Sequence, residues 1–328
     1  MLDLGTTFVA GVARDPNALA IVDGSLRLTY AQWYRKISAL VTAFDQLGLA
    51  AGDHLVTVLT NRWEAATLHW ACQFAGLIIT PLNWRSSADD LDFCLADADA
   101  KAIVYEDVAA PAVLASKQAQ RRARIAVDAS QAGELSFPQL LAPDAFDAQP
   151  RADAGDWSVM LYTSGTTARP KGVPRRQRAE RAAALAHVAQ NLYRQHERTL
   201  GVMPLYHTMG VRSLLAMALI GGAFVCLRRF DVASALELIE AERISNLYLV
   251  PTLYHDLIHH DRFRTTDVRS RAKRARSSHC WRAMRLLRAT GAVPMRITRH
   301  CAMVGTSPAT PAISTRMATS SSQAASTT

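Results

Sequence analysis

The chain has 328 residues, 49% of them hydrophobic and 20% charged, and its formal net charge is +9. This length and composition exclude a chain that is disordered throughout and allow two or three domains around a large core. The five cysteines are scattered, no basic leader precedes an apolar segment, and the longest apolar run covers only residues 214–227, so we expect a soluble cytoplasmic protein without a membrane span.

The first half of the chain alternates between helix and strand patterns. Thr29 and Gln32 have the spacing of a capping box, and Gly48 is placed to end the helix that follows. The apolar face of this helix consists of Trp33, Ile37, Leu40, Val41, Phe44 and Leu47. Buried strands are predicted at 55–59, 77–80 and 102–105, with helices at 63–75 and after Ser87. The alternation indicates an α/β protein with doubly wound, largely parallel sheets and flanking helices.

Residues 107–156 are rich in Ala, Asp and Pro and only weakly periodic, so they are interpreted as a surface connection. Further strands are predicted at 157–162, 199–204, 223–227 and 244–250. An amphipathic helix is predicted with an apolar face made of Ala182, Leu185, Ala186, Ala189, Leu192 and Tyr193. Residues 161–172 are predicted to form a loop between the carboxyl end of a strand and this helix, where open α/β sheets bind ligands.

That loop is the most informative stretch of the chain. Its hydroxyl residues surround Gly165, and Lys171 follows the rigid step of Arg169 and Pro170. Backbone N–H groups, hydroxyls and one lysine can together hold a phosphate. Because Lys171 precedes Gly172, the spacing and order differ from those of the common P-loop, and a different kind of nucleotide enzyme is indicated.

The loop closely resembles the phosphate-binding motif of the adenylate-forming superfamily, which includes acyl-CoA synthetases, adenylation domains of peptide synthetases and luciferases. The residues that carry the resemblance are Tyr162, Thr163, Ser164, Gly165, Thr166, Thr167, Ala168, Arg169, Pro170, Lys171 and Gly172. Other segments resemble the family in the same order along the chain: 26–30, 52–53, 81–85, 203–207, the glycine pair 221–222 and 250–252. The resemblance covers residues 10 to 268.

The resemblance implies an AMP-forming acyl-CoA synthetase, an acid–thiol ligase. A carboxylic acid would react with Mg²⁺-bound ATP to give an acyl adenylate, and a thiol, usually that of coenzyme A, would then displace AMP. The resemblance assigns Thr163, Ser164, Gly165, Thr166, Thr167 and Lys171 to the phosphates of ATP. It places His207 near the carboxylate as a polar gate, so the expected catalytic residues are His207 and Lys171.

The family's later motifs are not found after Val268. These are the adenine-contacting segment, the motif with the magnesium-binding glutamate, the ribose-binding aspartate and the small domain with a catalytic lysine. We therefore expect residues 1–268 to be an incomplete AMP-binding (adenylation) domain, and the chain to be truncated and weakly active or inactive. The acid substrate and the oligomeric state are not predictable from these residues.

Residues 269–328 differ from the rest in charge. They contain eleven Lys or Arg and no Asp or Glu, which leaves 26 basic and 28 acidic residues before them. An acid-free segment rich in Arg, Ala, Ser and Thr is typical of a GC-rich gene translated out of frame, so we expect a disordered or frameshifted tail. The alternative is a non-catalytic remnant with a basic tail that binds nucleic acid.

Histidines and cysteines, the usual zinc ligands, occur in pairs at two kinds of spacing in this chain. His255 and His259 are spaced i, i+4 on a predicted helix, as in some zinc sites, but no third ligand accompanies them. The adjacent His–Cys pairs at 279–280 and 300–301 lack the usual spacing of zinc ligands. We expect no protein-held metal site.

Overall fold

The computed structural model of the chain describes residues 3–129, 134–141, 147–163 and 169–267. The tail at 269–328 and five residues of the predicted phosphate loop, Ser164, Gly165, Thr166, Thr167 and Ala168, lie outside the described residues.

The helices and strands alternate along most of the chain. The helices are α1 (Leu4–Arg14), α2 (Tyr30–Gln46), α3 (Trp63–Ala75), α4 (Ala88–Asp97), α5 (Ala110–Ala115), α6 (Phe137–Leu140), α7 (Gln177–Asn191), α8 (Thr208–Ile220), α9 (Val232–Ala241) and α10 (Pro251–His259). Short 3₁₀ turns cover Asp107–Ala109, Ala119–Arg121 and Asp261–Arg264. The strands are β1 (Leu19–Asp23), β2 (Leu26–Thr29), β3 (His54–Val58), β4 (Ile78–Pro81), β5 (Ala102–Tyr105), β6 (Ala123–Ala126), β7 (Leu135–Ser136), β8 (Trp157–Thr163), β9 (Lys171–Arg176), β10 (Arg198–Gly201), β11 (Ala223–Cys226) and β12 (Asn246–Leu247).

The strands form two sheets. One has the order β12-β10-β11-β1-β2, and the other has the order β7-β6-β5-β3-β4-β8-β9. All neighbouring pairs are parallel except β1–β2 and β8–β9. The prediction of an α/β protein with largely parallel sheets is therefore confirmed.

Helices cover the sheets and bury a large apolar core between the layers. Around Phe8, the rings of Trp70, Trp33, Tyr30 and Phe74 have centroids 4.8, 5.4, 5.8 and 5.9 Å away. Aromatic pairs at this spacing add to the free energy gained from burying their area. This cluster fixes α1, α2 and α3 against one another.

Local signals in the sequence placed several elements correctly. Thr29 and Gln32 form the predicted capping box at the start of α2, and Ser87 caps α4 in the same way with Asp90. Gly48 follows α2 with a φ of +72°, a conformation that favours glycine. Helix caps and helix-ending glycines act through residues close in sequence. Tertiary packing therefore did not override them here.

The interpretation of residues 107–156 as a surface connection is wrong. This stretch contains α5, β6, β7 and α6, and β6 pairs in parallel with β5. Strand β6 is only four residues long, and only Ile125 and Ala126 of it are buried. A strand with two buried side chains is too short to show periodicity in the sequence.

The sequence predicted that the phosphate loop leads directly into a helix, and this prediction is wrong. Lys171 begins β9, which runs back antiparallel to β8, and α7 starts only at Gln177. Strand β9 lies at the edge of its sheet and contains Pro174, a residue that edge strands tolerate. The loop therefore joins the two strands of a hairpin, called the phosphate hairpin below (157–176).

The predicted apolar face of α7 is also wrong, although the helix exists. Ala182, Leu185, Ala186 and Ala189 are exposed, whereas Gln177, Glu180, Ala184 and His187 are buried. Several of these buried side chains are polar and have hydrogen-bond partners. Hydrophobicity alone therefore did not identify the buried face of α7. No helix within the described ranges is long and apolar enough to cross a membrane.

Candidate functional site

The predicted binding segments meet at the carboxyl ends of the parallel strands. Thr163 ends β8, and Lys171 lies opposite it as the first residue of β9. Asn61 follows β3 and the segment 203–207 follows β10, so each sheet contributes to this edge. In open α/β sheets such an edge is the usual position of a ligand site.

Lys171 is exposed, and no carboxylate among the described residues lies within 4.0 Å of its ammonium group. Thr163 is exposed as well. Both side chains are thus available to an anion in solvent. The structure places these two residues opposite each other, and the four loop residues 164–167 assigned to the same phosphates lie outside the described part.

The strand before the loop is fixed from behind. Tyr162 donates its hydroxyl to Asp97 Oδ2 at 2.7 Å, and burial raises the pKa of this hydroxyl, as does the hydrogen bond to Asp97. Arg169 is the first described residue after the loop, and its guanidinium carbon lies 5.5 Å from the ring centroid of Phe93. Helix α4, which carries Phe93 and Asp97, therefore supports both ends of the phosphate loop.

His207 is the N-cap residue of α8, with φ −118° and ψ 147°. Its side chain is exposed, its ring centroid lies 4.7 Å from that of Tyr206, and partial burial of the imidazole lowers its pKa. His207 is consequently neutral at neutral pH. A neutral imidazole facing solvent at this edge can donate or accept one hydrogen bond without adding charge.

The segment 81–85, predicted from the resemblance, lies close enough to Tyr206, the neighbour of His207, for the charge of Arg85 to act on it. Burial raises the pKa of Tyr206, and the charge of Arg85 opposes that rise. The ring of Trp84 is contacted by Arg85 and Arg229, whose guanidinium carbons lie 4.0 and 4.7 Å from its centroid. Because Arg229 follows β11 and Arg85 follows β4, Trp84 connects the two sheets next to the site.

Sequence reasoning missed two residues that hold residues 201–208, called the His207 segment below. Asn61 hydrogen-bonds to the segment's backbone, and Arg175 on β9 hydrogen-bonds to Thr208, the residue after His207. Asn61 could have been suspected because a polar residue directly after a buried strand faces the ligand edge. Arg175 is hidden in a basic stretch, and nothing in the sequence sets it apart from its neighbours.

The described residues contain no group of three or more His, Cys, Asp or Glu arranged to hold a metal ion. His255 and His259 lie on α10 with ring centroids 4.0 Å apart, and His259 Nδ1 lies 2.8 Å from the carbonyl oxygen of His255. Cys72, Cys94 and Cys226 are buried free thiols.

Comparison with family models identifies the class of protein to which this fold and this ligand edge belong. The model of the AMP-binding enzyme family matches residues 8–322, so the chain belongs to that family. The match extends past Val268, where the resemblance by individual motifs ends.

Individual relatives are acyl-CoA ligases. Feruloyl-CoA synthase of an Amycolatopsis species is 30% identical over 271 residues, which cover 81% of this chain and 52% of that protein. Long-chain-fatty-acid–CoA ligase FadD13 of Mycobacterium tuberculosis is 27% identical over 242 residues, or 73% of this chain and 48% of that protein. The chain thus spans about half the length of the curated relatives it matches.

Solved structures show the same fold. The inhibitor-bound N-terminal domain of FACL13 from Mycobacterium tuberculosis has a TM-score of 0.76 at 24% identity, covering 82% of this chain and 68% of that one. ATP-bound MatB from Rhodopseudomonas palustris has a TM-score of 0.68 at 25% identity, covering 79% of this chain and 52% of that one.

Proposed function

We propose that this chain carries the phosphate- and acid-binding part of an AMP-forming acyl-CoA synthetase. In the reaction, a carboxylate oxygen attacks the α-phosphate of ATP, pyrophosphate leaves, and an acyl adenylate forms. A thiol then attacks the acyl carbon and AMP leaves. The observation that carries the proposal is the meeting of the phosphate hairpin and the His207 segment at one edge of the two sheets.

Lys171 and Thr163 would bind the phosphates of ATP, together with Ser164, Gly165, Thr166 and Thr167. A free lysine beside hydroxyls and backbone N–H groups supplies the charge and the donors that a triphosphate and its pyrophosphate product require. Neutralising this charge lowers the barrier to attack by a second anion, the carboxylate.

His207 would act as a polar gate at the carboxylate and not as a general base. A carboxylate is already ionised at neutral pH, so the attacking group has no proton to remove. The lowered pKa of His207 keeps the imidazole neutral, which allows it to orient an anion through one hydrogen bond.

Mg²⁺ and coenzyme A are proposed as the further participants. Mg²⁺ would be held mainly by the triphosphate, because proteins usually bind this ion through one or two carboxylates together with the phosphates of the substrate. When bound, Mg²⁺ would neutralise charge on the triphosphate. Coenzyme A or a carrier-bound thiol would supply the sulfur nucleophile.

We propose further that this chain alone is weakly active or inactive. Residues 269–328 contain neither the magnesium-binding glutamate motif nor the ribose-binding aspartate that the family resemblance leads us to expect. Losing charged and hydrogen-bonding partners of a nucleotide lowers both affinity and the rate of adenylation. The relatives are named for aromatic and for long-chain aliphatic acids, so the acid of this chain is sought in both classes.

The test is acid-dependent ATP–pyrophosphate exchange with a panel of aliphatic and aromatic acids. We expect exchange to be slow or undetectable, and any signal to depend on the acid and to disappear in Lys171→Met. Exchange as fast as that of a full-length relative such as feruloyl-CoA synthase would overturn the proposal of an incomplete enzyme. Exchange that persists in Lys171→Met would overturn the role of Lys171.

A further inference from the structure

The amide of Asn61 makes three hydrogen bonds to the segment that leads to His207. Asn61 Nδ2 donates to the carbonyl oxygens of Gly201 at 2.7 Å and Met203 at 3.0 Å. The backbone N–H of Leu205 donates to Asn61 Oδ1 at 3.1 Å. Asn61 is 4% exposed, so these bonds lie in a buried environment. One side chain from the end of β3 thus satisfies three backbone groups of a segment in the other sheet.

Arg175 holds the same segment from its other end. Its Nη2 donates to Thr208 Oγ1 at 2.8 Å, and its Nη1 lies 3.2 Å from Glu180 Oε1. Glu180 is 2% exposed, so it anchors the guanidinium firmly. Because Arg175 belongs to β9, this contact links the phosphate hairpin to the first turn of α8.

The segment between these two attachments has little freedom of its own. The N–H of His207 donates to the carbonyl oxygen of Pro204 at 2.9 Å, which closes a turn. A Cβ at Gly210 would overlap the carbonyl oxygens of Pro204 and Met203, so α8 packs directly on the turn. A shift at either attachment must therefore move His207.

We propose that Asn61 and Arg175 are positioning residues that together fix His207 relative to the phosphate hairpin. Asn61 sets the segment against the seven-stranded sheet, and Arg175 sets it against β9. The importance of His207 in this inference rests on the proposed function, whereas the attachment of the segment does not. Neither residue contacts a reacting group, and each acts through the backbone or through Thr208.

Release of the segment changes the surroundings of the His207 imidazole. The ring of Tyr206 lies against it, with the two ring centroids 4.7 Å apart. The charge of Arg85 acts on Tyr206, and Arg175 donates to Thr208, so the two arginines act on the residues on either side of His207. Partial burial holds the pKa of His207 below 6.5. The imidazole is already partly exposed, and release of the segment would remove the cover that remains, so its pKa would rise towards the value of a free histidine.

The test is an NMR titration of the histidine Cε1–H signals in the full chain, with the His207 signal assigned by its loss in His207→Gln. The variants are Asn61→Ala and Arg175→Lys. Arg175→Lys keeps the positive charge but cannot span Glu180 and Thr208 as the guanidinium does. We expect the midpoint of His207 to move up towards 6.5 in both variants, while His54 at the far end of β3 keeps its midpoint.

Asn246→Ala is the matched control. Asn246 is also buried, and its Nδ2 donates to Glu197 Oε2 at 3.2 Å and not to the backbone of the His207 segment. An unchanged His207 midpoint in folded Asn61→Ala and Arg175→Lys would overturn the proposal, and so would an equal shift in Asn246→Ala. If Asn61→Ala does not fold, Asn61→Asp replaces it, because its carboxylate repels the carbonyls of Gly201 and Met203. The titration requires no catalysis, so its failure is distinguishable from failure of the proposed function.

Discussion

His69 and His187 are buried as neutral imidazoles, with 2% and 4% of their surfaces exposed. Burial lowers the pKa of both to about 4, and the charge of Arg212 adds to the effect at His187. In the unfolded chain they titrate near 6.5, so protons bind the unfolded state first as the pH falls. Their contribution to stability is complete above pH 6.5 and decreases between 6.5 and about 4, by about 1.4 kcal/mol per pH unit for each histidine.

Replacing one of these two buried histidines should make the free energy of unfolding less dependent on pH. His69 Nε2 has no hydrogen-bond partner among the described residues, so His69→Leu removes the titrating group without leaving a donor unpaired. We expect urea unfolding of His69→Leu to lose less free energy between pH 7 and 5 than the unaltered chain, by about 2 kcal/mol. If the free energy of unfolding of His69→Leu fell with pH as steeply as that of the unaltered chain, His69 would not be buried as a neutral group.

Gly210 is required for steric reasons. Its missing Cβ leaves room for the carbonyl oxygens of Pro204 and Met203, whereas a Cβ at Gly155 would meet nothing within 4 Å. We expect Gly210→Ala to lower the free energy of unfolding by about 1–3 kcal/mol because the turn or α8 must move. Gly155→Ala should stay within about 0.5 kcal/mol. Equal stability of the two variants in urea unfolding would contradict the close contact at Gly210.

At the scale of elements, the phosphate hairpin and α7 show where sequence patterns stop being informative. The capping box at Thr29 and the helix over Trp63–Ala75 were predictable, since caps and buried helices depend on local residues. The direction of β9 was not, because an exposed edge strand has no apolar alternation. The buried face of α7 was also not predictable, since polar Glu180 and His187 lie on it.

The corrected orientation of α7 is testable with neighbouring residues. Leu185 is 39% exposed and Ala184 is fully buried. We expect Leu185→Ala to lower the free energy of unfolding by no more than about 1.5 kcal/mol, because more than a third of this residue already lies in water. Ala184→Leu should cost about 1–3 kcal/mol through overpacking against α8. A loss of about 2–5 kcal/mol in Leu185→Ala, typical of a buried leucine, would show that the apolar face is covered after all.

At the scale of the molecule, charged residues at the carboxyl ends of the strands hold the seven-stranded sheet together. Arg62 after β3 binds Glu64 at 2.7 Å, Asp128 at 2.9 Å and Glu106 at 3.1 Å. Burial lowers the pKa of Arg62, but hydrogen bonds to Glu64 and Asp128 outweigh this effect and raise the pKa above its ordinary value. The guanidinium thereby links the ends of β3, β5 and β6 next to the site.

Removing this charge should be costly. Arg62→Met leaves buried carboxylates without their counter-ion, and we expect a loss of about 3–5 kcal/mol in the free energy of unfolding. Arg151→Met is the control, because Arg151 and Asp45 form an exposed pair whose loss should cost no more than about 1 kcal/mol. Similar losses in the two variants would refute the structural role assigned to Arg62.

The family and the general fold followed from the sequence, because residues 161–172 and 203–207 are contiguous motifs. The contacts between them did not. Asn61 and Arg175 act across sheets, through partners up to 144 positions away along the chain, as in the bond between Asn61 and Leu205. Such contacts depend on strand order and register, which periodicity does not specify.

The central claim is that Lys171 and the phosphate hairpin bind the phosphates of a nucleotide. Isothermal titration of Mg²⁺-pyrophosphate and Mg²⁺-ATP into the full chain, into Lys171→Met and into the exposed-lysine control Lys117→Met tests it most directly. We predict saturable binding by the unaltered chain and by Lys117→Met, and affinity at least about tenfold weaker in Lys171→Met, the loss of one charge-assisted contact. No saturable binding by the unaltered chain, or equal affinity in Lys171→Met, would contradict the claim.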